Sequence, residues 1–498
     1  LPQKKLAQFA SEILSSDFFA GAALTNEYAT FQKRYWNDLP GFVQDCIDWR
    51  PGEKAADYQL VILDAICGSR RVSVRGPHGL GKTSIAAWAT LWFALTRDGR
   101  DWKVATTAST WRQLTKFLWP EIHKWARRLR WDRVGRQPFV DGRERLGLSL
   151  RLSTGEAFAV ASDNPAYIEG AHADHLLYVF DESKSIIDGT FDAAEGAFSN
   201  AGPGASGEAL ALAISTPGEP QGRFYDIQSR KPGYDDWRVF HVSLADTIKA
   251  GRVSVEWAEQ RKLQWGEKSA VYQNRVLGEF ASSDEDSLIP LAWVEAAIAR
   301  WHEWKDAGSV LDGPMTTVGV DVGYGSDRNV LAPRWGHVVP WLRADGKADT
   351  TEVAARVEAV LGVHGGKAIV DAIGVGAGVF DTLRSRKLKT EAFIASGRSE
   401  LRDKSGEWGF INRRAAAWWN MREMLDPISG LQVALPPDDL LIGDLTTPHW
   451  TVTAGAKIQV ESKDDIRVRL GRSTDYGDAV VMAFARPEPV KAIPGVFA

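Results

Sequence analysis

Eight consecutive residues constrain this chain more than any others. Gly76-Pro77-His78-Gly79-Leu80-Gly81-Lys82-Thr83 spell G-x-x-x-x-G-K-T, after a strand-like run, Arg71-Val72-Ser73-Val74-Arg75, and before an apolar stretch from Ile85 to Leu95 that predicts a helix. A loop of this kind holds phosphate. The glycines Gly76, Gly79 and Gly81 let backbone N–H groups wrap round the anion, Lys82 reaches the β/γ oxygens, and the Thr83 hydroxyl is placed to ligate Mg²⁺. The positive end of the following helix faces the same charges. A glycine turn that only imitates the motif would lack the strand before it and the helix after it, so ATP is the expected ligand.

Hydrolysis needs more than a phosphate loop. Leu176-Leu177-Tyr178-Val179-Phe180 is a continuous apolar run of the kind that forms a buried parallel strand, and it ends in Asp181-Glu182. Asp181 is expected to hold Mg²⁺ and Glu182 to polarise the attacking water. Alone, the pair would be an ordinary strand end; the loop makes it a catalytic pair. A third strand, Ala209 to Ile214, runs into Ser215-Thr216-Pro217-Gly218. Its small hydroxyls are placed to sense a γ-phosphate, although the same composition describes a plain turn.

At 498 residues the chain has room for about three domains. Its longest apolar stretches fall short of the roughly 18 residues of a membrane helix. No signal peptide is read at the N-terminus, and Leu1 in place of Met points to trimming or an offset numbering. Cys46 and Cys67 can build neither a disulfide framework nor a zinc cluster, which fits a reducing cytoplasm. The abundant tryptophans are read as packing. A net charge of −4 does not announce a nucleic-acid protein, yet basic residues cluster locally. Lys124, Arg127, Arg128, Arg130, Arg133 and Arg136 form one group, with Trp125 and Trp131 interleaved. That group suits a phosphate backbone and equally a solvated helix face. Lys463, Arg467, Arg469 and Arg472 form a second, and Arg384, Arg386, Lys387 and Lys389 a third.

Strand and helix patterns alternate over 51–245, which predicts a mostly parallel α/β sheet carrying the phosphate loop. Residues 1–50 read as helical segments, 246–290 as a helical lid and linker whose end (281–287) is polar and acidic, 291–487 as a second α/β domain, and 488–498 as a flexible tail. In the second domain Thr317-Val318-Gly319-Val320 runs into Asp321, and Ala368-Ile369-Val370 into Asp371. Asp475 and Asp478, spaced i, i+3, share one face of a predicted helix. Each acid alone reads as a turn or cap. Converging, they would hold two Mg²⁺ or Mn²⁺ ions, a pair suited to phosphodiester cleavage. Asp327 is an auxiliary candidate.

Together these motifs resemble the large terminase subunit of tailed bacteriophages, and the resemblance spans nearly the whole chain. Asp57-Tyr58-Gln59 looks like the family's adenine-contacting motif, with Gln59 in the contacting role. Thr106-Thr107-Ala108-Ser109 with Gln113 resembles a further motor segment, and Ser215-Thr216-Pro217 the coupling motif. Asp321, Asp371 and Asp475 match the metal-binding acids, and the stretch from Lys463-Asp464-Asp465 to Asp478-Ala479 the C-terminal signature. Thr474 stands where many relatives carry proline, which leaves Asp475, Asp478 or both as the last ligand; Asp475 is favoured. No spacing fixes an arginine finger, for which Arg75 and Arg112 are candidates.

The resemblance implies a P-loop ATPase fused to a ribonuclease-H-like nuclease. It implies ATP-driven movement of double-stranded DNA into a prohead and metal-dependent cutting of concatemers. It further implies a homo-oligomeric ring docked on the portal protein, a small terminase subunit as partner, and residence in the host cytoplasm rather than the mature virion. A cellular helicase or repair ATPase with a fused nuclease would need strand-separating motifs, and no set of them is found. An ATP-dependent assembly switch whose C-terminal domain only binds DNA is the remaining alternative.

Overall fold

Among the described residues, strands and helices give an eight-stranded sheet, a five-stranded sheet and a small three-stranded one formed by Gly409–Phe410, Lys457–Val460 and Trp450–Val452, in a computed structural model covering residues 26–161, 172–198, 207–281, 287–323, 327–346, 349–453 and 455–488. The chain divides into two units, Leu1–Ser254 with Leu277–Glu279, and Val255–Val276 with Phe280–Ala498. Most of the acidic linker at 281–287, nearly all of the 488–498 tail and the first 25 residues lie outside the described residues.

The first unit is built on eight strands: β1 (Arg71–Arg75), β2 (Trp102–Ala108), β3 (Arg145–Leu146), β4 (Ser149–Arg151), β5 (Gly155–Ala161), β6 (His175–Asp181), β7 (Glu208–Ser215) and β8 (Trp237–His241). Their order is β3-β4-β5-β2-β6-β7-β1-β8. The six from β5 to β8 pair in parallel, while β3 and β4 extend the edge antiparallel. Parallel strands covered on both faces need side chains that are apolar throughout. β6 and β7 meet that need from their second residue to their last but one, and their polar ends Asp181 and Ser215 are buried as well. The helix Lys82–Arg97 is buried nearly all round, as expected for a helix enclosed within a core. Trp88, Trp92, Trp102 and Trp119 are fully buried there, so much of the tryptophan is core.

The second unit carries β9 (Thr317–Asp321), β10 (Asn329–Arg334), β11 (Arg343–Asp345), β12 (Lys367–Asp371) and β13 (Thr390–Phe393), ordered β11-β10-β9-β12-β13. The first three form an antiparallel meander, and β12 and β13 run parallel to β9. This is the ribonuclease-H-like topology. The helix Asp475–Ala483, buried along its whole length, lies across β9 at a glycine. A Cβ on Gly319 would fall 1.9 Å from the Ala479 carbonyl oxygen, so only glycine admits the helix this close. Thr317 Oγ1 donates to the Ala483 carbonyl at 2.7 Å and ties down the other end. No helix among the described residues is long and apolar enough to cross a membrane.

Candidate functional site

In the first unit, aligned strand ends gather the phosphate-loop residues. Arg75 pairs with Ser215, and Asp181 with both Ala108 and Ile214, so the loop after β1 emerges beside the tips of β7 and β6. Gly79 and Gly81 take left-handed φ values of 86° and 85°, which side-chain-bearing residues rarely adopt. Beneath the loop, buried Gln59 donates to the Leu80 carbonyl at 3.2 Å and accepts the Ala56 N–H at 2.9 Å and Arg252 Nη2 at 3.2 Å. The Tyr58 hydroxyl donates to the same carbonyl at 2.8 Å. Residues 58 and 59 therefore brace the loop, a role their spacing did not reveal.

Lys82 is buried, and burial pulls its pKa down against the opposing charges of Glu182 and Asp181. Asp181 is 3% exposed at the end of β6. Burial and the neighbouring Glu182 push its carboxyl up to about 7, with Lys82 pulling back. Glu182 is a non-glycine residue in the left-handed region, φ 48° and ψ 48°, a strain of order 1–3 kcal/mol that persists where surroundings enforce it. Ser215 Oγ and Thr216 Oγ1 donate to its Oε2 at 3.1 and 3.5 Å and hold the carboxylate. Lys82, Asp181, Glu182, Ser215 and Thr216 are thus brought together, with half-buried Thr83 in the adjoining first helical turn. At the tip of β2 the buried Thr107 hydroxyl has no hydrogen-bond partner among the described residues. Of the finger candidates, Arg75 is ion-paired with Glu279 at 2.8 Å and Arg112 lies over the Phe117 ring.

In the second unit Asp321 and Asp371 end the adjacent parallel strands β9 and β12, and the helix Asp475–Ala483 presents Asp475 and Asp478 beside them. The acids feel one another. Burial drives the Asp321 carboxyl well above its usual range, Lys463 opposes this, and Asp478, Asp475 and Asp371 reinforce it. Asp371 is raised by burial against Lys463. Asp478 is held below the usual range because Lys463, Arg414 and bonds from Thr474 and Trp418 outweigh its burial. Both its oxygens are engaged: Trp418 Nε1 donates to Oδ1 at 2.9 Å, Thr474 Oγ1 to Oδ2 at 2.8 Å. Asp475 accepts the Arg328 N–H through Oδ2 at 2.9 Å.

The residue that organises this cluster is Lys463, which the sequence places both in a basic group and at the start of the C-terminal signature. Its ammonium lies 3.2 Å from both oxygens of Asp321 and 3.2 Å from Asp478 Oδ2. Among the described residues no three acids close on one point as a metal ion requires; a cationic side chain stands between Asp321 and Asp478 instead. The donor chemistry still fits a hard cation, since the carboxylates of Asp321 and Asp478 already hold one positive group and those of Asp475 and Asp371 act on it at longer range. Asp327, the auxiliary candidate, is ion-paired with Arg467.

The basic groups are largely spent on carboxylates. Arg128 pairs with Glu53 at 2.5 Å, Arg136 with Glu144 at 2.6 Å, and Lys124 with Glu121 at 3.0 Å, while Arg130 and Arg133 both approach Asp132. Five of the six cations in the first group thus have a carboxylate neighbour, with Asp132 shared between two of them. Arg469 pairs with Glu461 and Arg472 with Asp444. In the third, Arg386 pairs with Glu358, and the group precedes Thr390, which pairs with Ala368 near the start of β12. It therefore lies at the opposite end of that strand from Asp371.

Fold and sites together define a chain that joins a phosphate-loop unit with an acidic strand-end pair to a ribonuclease-H-like unit with four clustered aspartates. No family model matches it. The probable terminase large subunit of Enterobacteria phage P7 is 29% identical over 172 residues, 34% of this chain and 33% of that protein. The chain thus matches about a third of the length of that curated relative. Among solved structures, the nuclease domain of the large terminase subunit gp2 of bacterial virus Sf6 is 22% identical, with a TM-score of 0.35, covering 40% of this chain and 99% of that one. The large terminase of a thermophilic bacteriophage is 12% identical, with a TM-score of 0.40, covering 87% and 98%. The motif resemblance to large terminase subunits is thereby met by a sequence relative of that name.

Proposed function

We propose that the chain is the large subunit of a phage terminase, which hydrolyses ATP to translocate double-stranded DNA into a prohead and cuts concatemeric DNA with divalent metal ions. The observation that carries this is the presence, on one chain, of Lys82 facing Asp181–Glu182 and of four aspartates clustered at β9, β12 and the helix Asp475–Ala483. Gly76, Gly79, Gly81, Lys82 and Thr83 would hold the phosphates, Gln59 would act from beneath the loop, and Thr83 and Asp181 would hold Mg²⁺. Glu182, fixed by Ser215 and Thr216, would orient the water. Asp321, Asp371 and Asp475, supported by Asp478, would hold two Mg²⁺ or Mn²⁺ ions, which supply an activated water and stabilise the leaving 3′ oxygen.

The proposed partners are DNA, a portal protein, a small terminase subunit and further copies in a ring on the prohead, in the host cytoplasm. Purified proheads, linear DNA and ATP provide the test. Accumulation of nuclease-protected DNA that depends on ATP is expected; hydrolysis without protected DNA would contradict the packaging role. One observation favours the assembly-switch alternative, namely the Lys463 ammonium standing between Asp321 and Asp478. Metal-dependent cleavage of plasmid DNA by the full chain decides between them, because a purely structural cluster would not cut.

A further inference from the structure

The helix that carries Asp475 and Asp478 has an unusual start. A helix leaves its first N–H groups unpaired, and the residue just before it commonly caps them with its own side chain. Here that residue is Thr474, which makes no cap because its hydroxyl is spent on Asp478 Oδ2. The cap comes from elsewhere. Asp444, fully buried in the helix Asp439–Thr446, accepts the N–H groups of Tyr476 at 2.9 Å and Gly477 at 3.0 Å through one oxygen, Oδ2. Its other oxygen takes a charge-assisted bond from Arg472 Nη1.

Two glycines make room for this arrangement. A Cβ on Gly477 would meet the Cβ of Asp444 at 2.9 Å, and one on Gly443 would meet Arg472 Nη2 at 3.1 Å and the Gln264 carbonyl oxygen at 3.3 Å. Arg472 is itself pinned, since Nε and Nη2 donate to that carbonyl at 3.1 and 2.9 Å. The Gln264 carbonyl belongs to the helix Val255–Trp265, so Arg472 ties the capping helix Asp439–Thr446 to a second one. A lone acid in Leu441-Ile442-Gly443-Asp444-Leu445 gives no sequence sign of this.

We propose that Asp444, oriented by Arg472, is a positioning residue for the nuclease acids: by capping the Asp475–Ala483 helix from outside it sets where Asp475 and Asp478 stand relative to Asp321 and Asp371. This rests on reading those acids as the metal site. Asp444 touches neither metal nor DNA in this account. Its loss lets the first helical turn unwind, and Asp475 and Asp478 are the residues of that turn.

The test is the Mn²⁺ concentration that half-saturates plasmid cleavage by the full chain, measured for Asp444→Ala, Asp444→Asn and Arg472→Lys, with ATP hydrolysis as the control for folding of the first unit. Asp444→Ala is expected to raise that concentration at least tenfold. Asp444→Asn, which keeps an oxygen acceptor for both N–H groups, should restore it to within about threefold of the parent, and Arg472→Lys should fall between. A merely structural role would lower the melting temperature of all three without moving the Mn²⁺ requirement, and that result overturns the proposal. Should Asp444→Ala fail to fold, an Arg472→Lys protein with the parent's Mn²⁺ requirement overturns it equally. Asp321→Asn run alongside separates the two ideas, since full cleavage by that variant would sink the metal-site reading itself.

Discussion

Lys463 places its ammonium 3.2 Å from each carboxylate oxygen of Asp321, across 142 residues of sequence. Burial alone would lower the lysine's pKa, but Asp321, Asp478, Asp475 and Asp371 outweigh it and hold the group well above its usual range. The lysine is the cation that pairs with the buried acids Asp321 and Asp478.

Removing it should have opposite effects on stability and on metal binding. Lys463→Ala leaves buried carboxylates uncompensated, a loss of about 3 kcal/mol for a broken buried pair. The same change removes a competing cation. Thermal unfolding with and without Mn²⁺ is expected to show a lower melting temperature for the metal-free variant and a larger rise on adding metal than in the parent. An equal rise in both proteins would show that Lys463 does not compete for the cation position.

Glu182→Gln should bind ATP and fail to turn it over. The amide oxygen can still accept from Ser215 and Thr216, as Glu182 Oε2 does at 3.1 and 3.5 Å, but it cannot polarise water. A fall in kcat of about 10²–10⁴-fold is expected for loss of such a group, with nucleotide affinity close to that of the parent. Lost binding would instead make Glu182 a structural residue.

The buried Asp181 gives the first unit a pH signature. Its carboxyl is raised from 3.8 to about 7, so the folded state holds a proton that the unfolded chain releases. Its contribution to stability is therefore full below about pH 4 and declines as pH rises to about 7. A divalent cation requires the ionised form, so Mg²⁺ affinity should climb as pH rises through about 7. Calorimetric titration of Mg²⁺·ATP across that range checks the sign, and Asp181→Asn should abolish the trend. A persistent trend in that variant would assign it to another group.

Gly319 separates packing from chemistry. In Gly319→Ala the new methyl must displace the Ala479 backbone, 1.9 Å from its ideal position. Overpacking of this kind costs about 1–3 kcal/mol, and it lifts Asp475 and Asp478 away from Asp321. Cleavage should fall at least tenfold in a protein whose ATP hydrolysis is normal. Unchanged cleavage would mean that the helix does not set the spacing of the acids.

The strand-end acids were legible in the sequence for a physical reason. Buried parallel strands leave unbroken apolar runs, so a charge at the end of one, as at Asp181, Asp321 and Asp371, stands out. The phosphate loop was legible because backbone geometry demands glycine at Gly79 and Gly81. What could not be read were partners brought together by the fold. Lys463 looks like one more member of a basic run until β9 delivers Asp321 to it. Arg128 and Arg136 look free to bind phosphate until Glu53 and Glu144 arrive from other segments. Gln59 resembles a base contact, yet its amide is engaged with Leu80, Ala56 and Arg252.

The central claim is that one chain carries two chemically independent sites, and it is tested most directly by measuring ATP hydrolysis and Mn²⁺-dependent plasmid cleavage on the same preparations of Lys82→Ala, Asp321→Asn and Asp371→Asn. Lys82→Ala is expected to lose hydrolysis and keep cleavage, while each aspartate variant loses cleavage and keeps hydrolysis. Hydrolysis surviving in Lys82→Ala, or full cleavage in both aspartate variants, would contradict the account.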